Sequence, residues 1–213
     1  MALHVKALER QNATEFDGFY AIYSSSFPLC EQKSRDALLA MQHASFYTIY
    51  LALNDEKIVG FCIMYHPKND NFFLLEYMAI DAHQRGIGLG STLLKNSINQ
   101  LFKTHGIRAL LIEIDSPEKA SSEQAICEKR ELFYRHIGAL KIDPFDYILP
   151  LQTHEVAPPM ELLVFHPTMR DMVSKTTLQT WLEKLYANVY GCTKTDPRIA
   201  YMLDPAPPIL NLI

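Results

Sequence analysis

The sequence contains few cysteines, and their spacing indicates neither disulfides nor a zinc site. Four cysteines are spread over 213 residues, and no two of them form a CxxC pair or the spacing of zinc ligands. A chain of this length can bury enough apolar surface without disulfides, so we expect free, buried thiols and no bound metal. The four residues are Cys30, Cys62, Cys127 and Cys192.

The sequence also has no excess of basic residues and no long apolar run. Its 20 Lys and Arg residues against 24 Asp and Glu residues give a formal net charge of −4, which argues against a protein that neutralises nucleic-acid phosphates. No stretch approaches the roughly 20 apolar residues of a membrane span. The segment from Met1 to Gln11 lacks the apolar run of a secretion signal. We therefore expect a cytoplasmic protein that binds neither nucleic acid nor a membrane.

Apolar residues make up 48% of the sequence and follow both strand and helix periodicities, which indicates an α/β or α+β fold. Two apolar, β-branched or aromatic runs, Tyr47 to Leu53 and Lys57 to Tyr65, are joined by a short turn and predict a hairpin. The next run, Phe72 to Ile80, is almost wholly apolar, as expected of a central strand. Glu76 is the one charged residue inside that run. A charged side chain in an otherwise apolar strand is unusual and requires a structural or functional explanation.

A glycine-rich loop follows this strand and precedes a helical pattern. Three glycines at alternate positions, Gly86, Gly88 and Gly90, leave backbone N–H groups uncovered by side chains. A phosphate can approach such amides closely, and the N-terminal end of a helix favours negative charge. The loop therefore predicts an anion site, and a purely structural turn is the alternative.

Two common phosphate-binding loops do not fit this spacing. A P-loop requires Lys and then Ser or Thr after its last glycine, whereas Ser91 and Thr92 follow Gly90 and the next lysine is Lys95. A dinucleotide fold requires G-x-G-x-x-G, whereas the spacing here is G-x-G-x-G. A nucleotide-binding protein that uses the loop differently remains an alternative.

The pattern R-x-x-G-x-G, formed by Arg85, Gly88 and Gly90 after an apolar strand, resembles the acetyl-CoA motif of the GNAT superfamily of N-acetyltransferases. The resemblance covers Leu74 to Leu94 and, by the order of elements, residues 3–151. It implies a mixed, mostly antiparallel sheet of six or seven strands flanked by helices. It also implies direct transfer of an acetyl group from the cosubstrate acetyl-CoA to a primary amine, for which we expect a small molecule.

The resemblance divides the chain into an acetyltransferase domain, residues 1–166, and a C-terminal helical extension packed on it, residues 167–213. Apolar residues at helical spacing predict an amphipathic helix in this extension. They are Leu178, Trp181, Leu182, Leu185 and Val189. Several prolines after this helix predict an irregular tail.

The resemblance also implies which residues hold acetyl-CoA. In this family a bulge separates the strand before the loop from its neighbour, and amides of that strand bind the pantetheine arm and the thioester carbonyl. The matching residues are Met78, Ala79 and Ile80. The loop binds the pyrophosphate mainly through main-chain N–H groups. Its residues are Arg85, Gly86, Ile87, Gly88, Leu89, Gly90 and Ser91.

Two residues are candidates for proton transfer. Tyr134, four residues before Gly138, resembles the family's tyrosine that protonates the departing thiolate; a core tyrosine is the alternative. Seven residues before it, Cys127 stands where the family often has an asparagine that contacts the pantetheine. Glu76 is the candidate base, because burial would raise the pKa of its carboxyl group; binding of a cationic substrate without proton transfer is the alternative.

The sequence gives fewer candidates for binding the acceptor amine than for binding acetyl-CoA. Phe27 and Glu31 lie where the family walls its acceptor site, and Glu31 can attract an ammonium group. Glu113 and Asp115 are further acidic candidates, for which ordinary solvated carboxylates are the favoured interpretation. Two other functions stay open: acetylation of a protein lysine or N-terminus, and an acyl-CoA sensor on the same fold without turnover.

Overall fold

A computed structural model describes residues 3–118, 124–151, 158–169 and 171–213 of the chain. It shows two compact units, Met1–Arg108 and Ala109–Ile213. The described residues form nine strands and six α-helices, and each unit contains antiparallel strands with helices beside them. The predicted fold class is therefore confirmed, with nine strands where six or seven were expected.

The first unit contains four antiparallel strands that are neighbours in chain order. They are β1 (His4–Ala7), β2 (Tyr47–Asn54), β3 (Lys57–Tyr65) and β4 (Phe72–Ile80). The predicted hairpin is β2 and β3, with Asn54 opposite Lys57. The two turn residues between them, Asp55 and Glu56, have φ angles of 47° and 64°, as a tight two-residue hairpin requires.

Three helices lie beside this sheet: α1 (Ala13–Ser26), α2 (Arg35–His43) and α3 (Leu89–His105). Helix α1 is anchored by aromatic residues, since the ring of Phe19 lies 4.7 Å from that of Phe61 on β3, edge to face. Tyr23, one turn later, is fully buried against the same strand. This packing fixes the end of α1, and with it the segment that follows.

The second unit contains five antiparallel strands in the order β5-β7-β6-β9-β8. They are β5 (Ala109–Asp115), β6 (Leu140–Asp143), β7 (Met160–Phe165), β8 (Met172–Ser174) and β9 (Ile209–Leu212). Its helices are α4 (Gln124–Ile137), α5 (Lys175–Asn188) and α6 (Pro197–Leu203).

The C-terminal segment contains more regular structure than the sequence predicted. Helix α5 lies where the amphipathic pattern placed it, but the proline-rich tail also forms α6 and β9. Strand β9 pairs with β6, with Leu212 opposite Ile142. Leu210 and Leu212 are buried while the residues between and before them are exposed, so the tail is held by the apolar face of a very short strand.

The described residues contain neither a membrane-spanning helix nor a metal-binding cluster. Within these ranges no helix is both long and apolar enough to cross a membrane. Nor do these residues bring together three or more His, Cys, Asp or Glu side chains in a group able to hold a metal ion.

His66, directly after β3, makes the stability of the first unit depend on pH. Its side chain is 4% exposed, Nε2 lies 2.8 Å from Oγ1 of Thr48, and the ring stacks on His105 at 4.2 Å. Burial, together with the positive charges of His105 and Arg108, lowers the pKa of His66 to about 4. The folded state therefore holds the neutral ring, and the unfolded state takes up a proton first as the pH falls below 6.5.

We expect the free energy of unfolding to fall between pH 6.5 and about pH 4 by roughly 3 kcal/mol more in the native protein than in His66→Gln. Urea unfolding of both proteins at several pH values in this window measures their difference in unfolding free energy. Carboxylates titrate in both proteins, so their contribution cancels in this difference. A difference that stays constant with pH would show that His66 is not held neutral.

Candidate active site

The glycine-rich loop leaves β4 through a short 3₁₀ turn, Ala82–Gln84, and enters α3. Asp81 caps the turn, since its Oδ1 accepts a hydrogen bond from the N–H of His83 at 2.9 Å. Arg85 then folds back, and its Nε donates to the carbonyl of Ile80 at 2.9 Å. The entry to the loop is thereby tied to the end of the strand.

The backbone of this loop has the properties of an anion cradle. Gly86 and Gly88 have φ angles of 86° and 82°, and a Cβ added at either would meet nothing within 4 Å. Within the described parts of the chain, no main-chain N–H of residues 85–91 donates a hydrogen bond to protein. Gly88 is the N-cap of α3, where the helix dipole favours negative charge. Free main-chain donors in a loop whose glycines have open space around their Cα atoms fit a diphosphate.

Glu76 owes its position to a β-bulge in β4. The register against β3 pairs Ile63 with Tyr77 and then Met64 with Leu75, so Glu76 is the extra residue on the bulged strand. A bulge locally twists a strand and re-aims a side chain. This explains how a charged residue is accommodated in an otherwise apolar strand, and it places the bulge just before the predicted cofactor residues.

The main-chain N–H and C=O groups of the three strand residues predicted to bind the cofactor do not all point to the same side of β4. The N–H of Asp81 donates to the carbonyl of Val59 at 2.9 Å, and hydrogen-bonded pairs alternate along antiparallel strands. The main-chain groups of Ala79 therefore face β3, whereas those of Met78 and Ile80 point away from it. The bond from Arg85 to the Ile80 carbonyl agrees with this direction.

The carboxylate of Glu76 forms an ion pair that the sequence did not predict. Lys33 Nζ lies 3.0 Å from Glu76 Oε1, and the two side chains are 32% and 6% exposed. Oε2 is buried and has no hydrogen-bond partner among the described residues. Burial, then the negative charge of Glu76, raises the pKa of the neighbouring Tyr47 hydroxyl, which stays protonated. Lys33 thus lies between the candidate base and solvent.

Hydrogen bonds to two tyrosines hold the segment that carries Lys33. The N–H of Lys33 donates to the hydroxyl of Tyr23 at 2.7 Å, and the hydroxyl of Tyr77 donates to the carbonyl of Glu31 at 2.8 Å. The Tyr77 ring also packs against Phe27, with centroids 5.1 Å apart. Phe27 and Glu31, the predicted substrate residues, therefore lie beside β4, Phe27 as a packing residue and Glu31 with an exposed side chain.

Tyr134 lies in the last turn of α4 in the second unit and is partly exposed. Its ring packs edge to face on Phe133, with centroids 5.0 Å apart. Its carbonyl accepts a hydrogen bond from the N–H of Ala139 across Gly138, whose φ is 102°. Cys127, at the position of the family's asparagine, is buried.

The other two acidic candidates are engaged within the second unit. Glu113 accepts hydrogen bonds from Tyr147 and from Tyr190, the latter at 2.6 Å, and burial followed by the charge of Glu113 raises the pKa of Tyr147. Asp115 forms an ion pair with Arg130. Glu113 is therefore held by two tyrosine hydroxyls and is not the ordinary solvated carboxylate that the sequence favoured, whereas Asp115 is a partly exposed partner of Arg130.

The sequence profile of the acetyltransferase (GNAT) family matches residues 16–125, just over half of the chain. The matched range includes β4, the glycine-rich loop and α3. The chain belongs to the GNAT acetyltransferase family. No curated protein matches its sequence significantly.

Solved structures of low sequence identity share the GNAT fold of this chain. A protein of Bacteroides thetaiotaomicron described as a GNAT acetyltransferase has a TM-score of 0.70 at 19% identity, covering 89% of this chain and 99% of its own. A ribosomal-protein-alanine N-acetyltransferase from Escherichia coli has a TM-score of 0.57 at 19% identity, covering 79% and 96%. An aminoglycoside 6'-N-acetyltransferase in complex with coenzyme A has a TM-score of 0.60 at 13% identity, covering 78% and 98%.

Proposed function

We propose that this GNAT chain transfers an acetyl group from acetyl-CoA directly to a primary amine of a small molecule. The observation that carries the proposal is the run of main-chain N–H groups over residues 85–91 that donate to none of the described residues, with open space at Gly86 and Gly88. Acetyl-CoA supplies a thioester carbonyl that an amine can attack. The coenzyme A complex of the aminoglycoside acetyltransferase supports this cosubstrate for the shared fold.

Four groups of the chain have roles in this proposal. The loop amides and the side chain of Arg85 neutralise the diphosphate charge. The outward main-chain groups of Met78 and Ile80 align the acyl arm along β4. Glu76 accepts the proton of the attacking amine, which must be neutral although a free lysine-like amine has a pKa of about 10.4. Tyr134 donates a proton to the departing sulfur.

The surroundings of Glu76 favour a small acceptor over a protein. Its side chain is 6% exposed beneath Lys33, whereas an extended peptide requires an open groove beside the strand. The E. coli neighbour acts on an alanine of a ribosomal protein, so peptide acceptors belong in the same assay. The cover over Glu76 also favours a second candidate, an acyl-CoA sensor without turnover.

Glu76→Gln is expected to lower kcat/KM about 100-fold at neutral pH, because it removes the proton acceptor and keeps the shape of the side chain. The loss should shrink as the pH rises, since a larger share of the amine is then already neutral. Thiol release over a panel of small amines and peptides measures both effects.

Exposed Glu56→Gln is the matched control and should retain full activity. Unchanged kcat/KM in Glu76→Gln would remove Glu76 as the base. Binding of acetyl-CoA with no thiol release for any acceptor would support the sensor instead.

A further inference from the structure

The ion pair between Lys33 and Glu76 places a lysine amine at the proposed proton acceptor. Lys33 Nζ lies 3.0 Å from Oε1, and Oε2 has no surface open to solvent. An acceptor amine from outside therefore cannot reach this carboxylate while Lys33 occupies its position. Either Lys33 leaves before each turnover, or Lys33 is itself acetylated.

The backbone of Lys33 is held in place by hydrogen bonds, whereas its side chain has room to move. The main-chain N–H of Lys33 donates a hydrogen bond to the Tyr23 hydroxyl, and the Tyr77 hydroxyl donates one to the nearby Glu31 carbonyl. These bonds keep the residue beside β4. Its side chain remains 32% exposed, which leaves the four-carbon stem room to move its amine while the backbone stays in place. A tethered amine of this kind has a high effective concentration at the reacting group.

We propose that Lys33 is an internal acceptor: the protein acetylates Lys33 once, in the same chain, and thereby uncovers Glu76. The inference rests on the proposed acetyl transfer. Its direct support is geometric, since an ammonium group already occupies the position that the ammonium of an acceptor would take beside Glu76.

The reaction uses the groups already assigned. The Lys33 ammonium gives one proton to the Glu76 carboxylate, and its neutral nitrogen attacks the thioester carbonyl carbon. The N–C bond forms, the C–S bond breaks, and the departing sulfur takes up the second proton that the nitrogen loses. The products are an acetylated Lys33, free coenzyme A, and one proton that Glu76 passes to solvent.

Once Lys33 is acetylated, no ion pair holds its side chain over Glu76. An acetylated lysine carries no positive charge, so its attraction to the Glu76 carboxylate is lost and the remaining charge favours contact with water or with a cationic acceptor. We therefore expect a lag before steady thiol release with an external amine. Preincubation with acetyl-CoA should abolish this lag.

The test is to incubate the protein alone with acetyl-CoA that carries a heavy-isotope acetyl group, and to follow labelled peptides by mass spectrometry. We expect label on Lys33 at a rate at least about tenfold above that of exposed Lys68, which reports uncatalysed acetylation. The first-order rate constant should be the same at two protein concentrations about tenfold apart. Label on Lys33 no faster than on Lys68, or a rate constant that rises with protein concentration, would overturn the proposal.

Variants separate this inference from the proposed function. Lys33→Arg should bind coenzyme A normally in calorimetry, take up no label at position 33, and remain slow with external amines after preincubation. Lys33→Gln, which mimics the neutral product, should show no lag, and Lys68→Arg should behave as the native protein. If amines are acetylated while Lys33 stays unlabelled, only the inference falls. If coenzyme A does not bind, the proposed function falls with it.

Discussion

Gly88→Val is expected to lower the affinity for coenzyme A by at least about 100-fold. The new Cβ and its methyl groups would enter open space at the loop, which we propose that the phosphate oxygens occupy. Hydrogen bonds to a charged group contribute about 1.5–3 kcal/mol each, so losing two of them corresponds to roughly 10²–10⁴-fold in affinity. Calorimetric titration with coenzyme A measures this loss directly.

Gly106→Val provides a matched control for the strain that this substitution adds. Gly106 has the same φ of 82°, equally open surroundings, and lies at the other end of α3. Both variants should lose roughly 1–3 kcal/mol of stability, because a β-branched residue is strained at the ψ of 2° that Gly88 has and more strained at the ψ of 166° that Gly106 has. Only Gly88→Val should lose coenzyme A binding, and equal affinities in the two variants would contradict the proposed cradle.

Tyr134→Phe is expected to reduce kcat about 100- to 1,000-fold while the dissociation constant for coenzyme A changes less than about twofold. The substitution removes the proposed proton donor to sulfur and keeps the ring that packs on Phe133. An interaction made only in the transition state lowers kcat and kcat/KM together. Because the residue is partly exposed, the melting temperature should stay nearly constant.

Exposed Tyr201→Phe is the control for Tyr134→Phe. Steady-state kinetics and calorimetry on both variants separate a catalytic from a structural role. A kcat for Tyr134→Phe within about threefold of the native value would show that another group, or water, protonates the sulfur.

The features that the sequence predicted well are local ones. The alternate glycines Gly86, Gly88 and Gly90 mark a loop whose geometry follows from its own backbone, and the structure shows positive φ at the first two. Similarly, Glu76 could be singled out from the sequence because it is the one charged residue in an apolar strand. The hairpin of β2 and β3 needed only its two strands and the turn between them.

The features that the sequence did not reveal depend on partners far along the chain. Nothing in the residues around Lys33 indicates that its amine reaches Glu76, because the contact exists only once α1 packs on β3 through its aromatic residues. The bulge at Glu76 depends likewise on the register with β3. Strands β8 and β9 are too short to show a periodicity, and they form because partner strands complete them.

The most direct measurement is a crystal structure of this protein in complex with coenzyme A. We expect the diphosphate oxygens about 3 Å from the N–H groups of Gly88 and Gly90, with the pantetheine arm beside the outward amides of Met78 and Ile80. Coenzyme A bound at another surface, with the amides of the glycine loop still unbonded, would contradict the assignment of that loop.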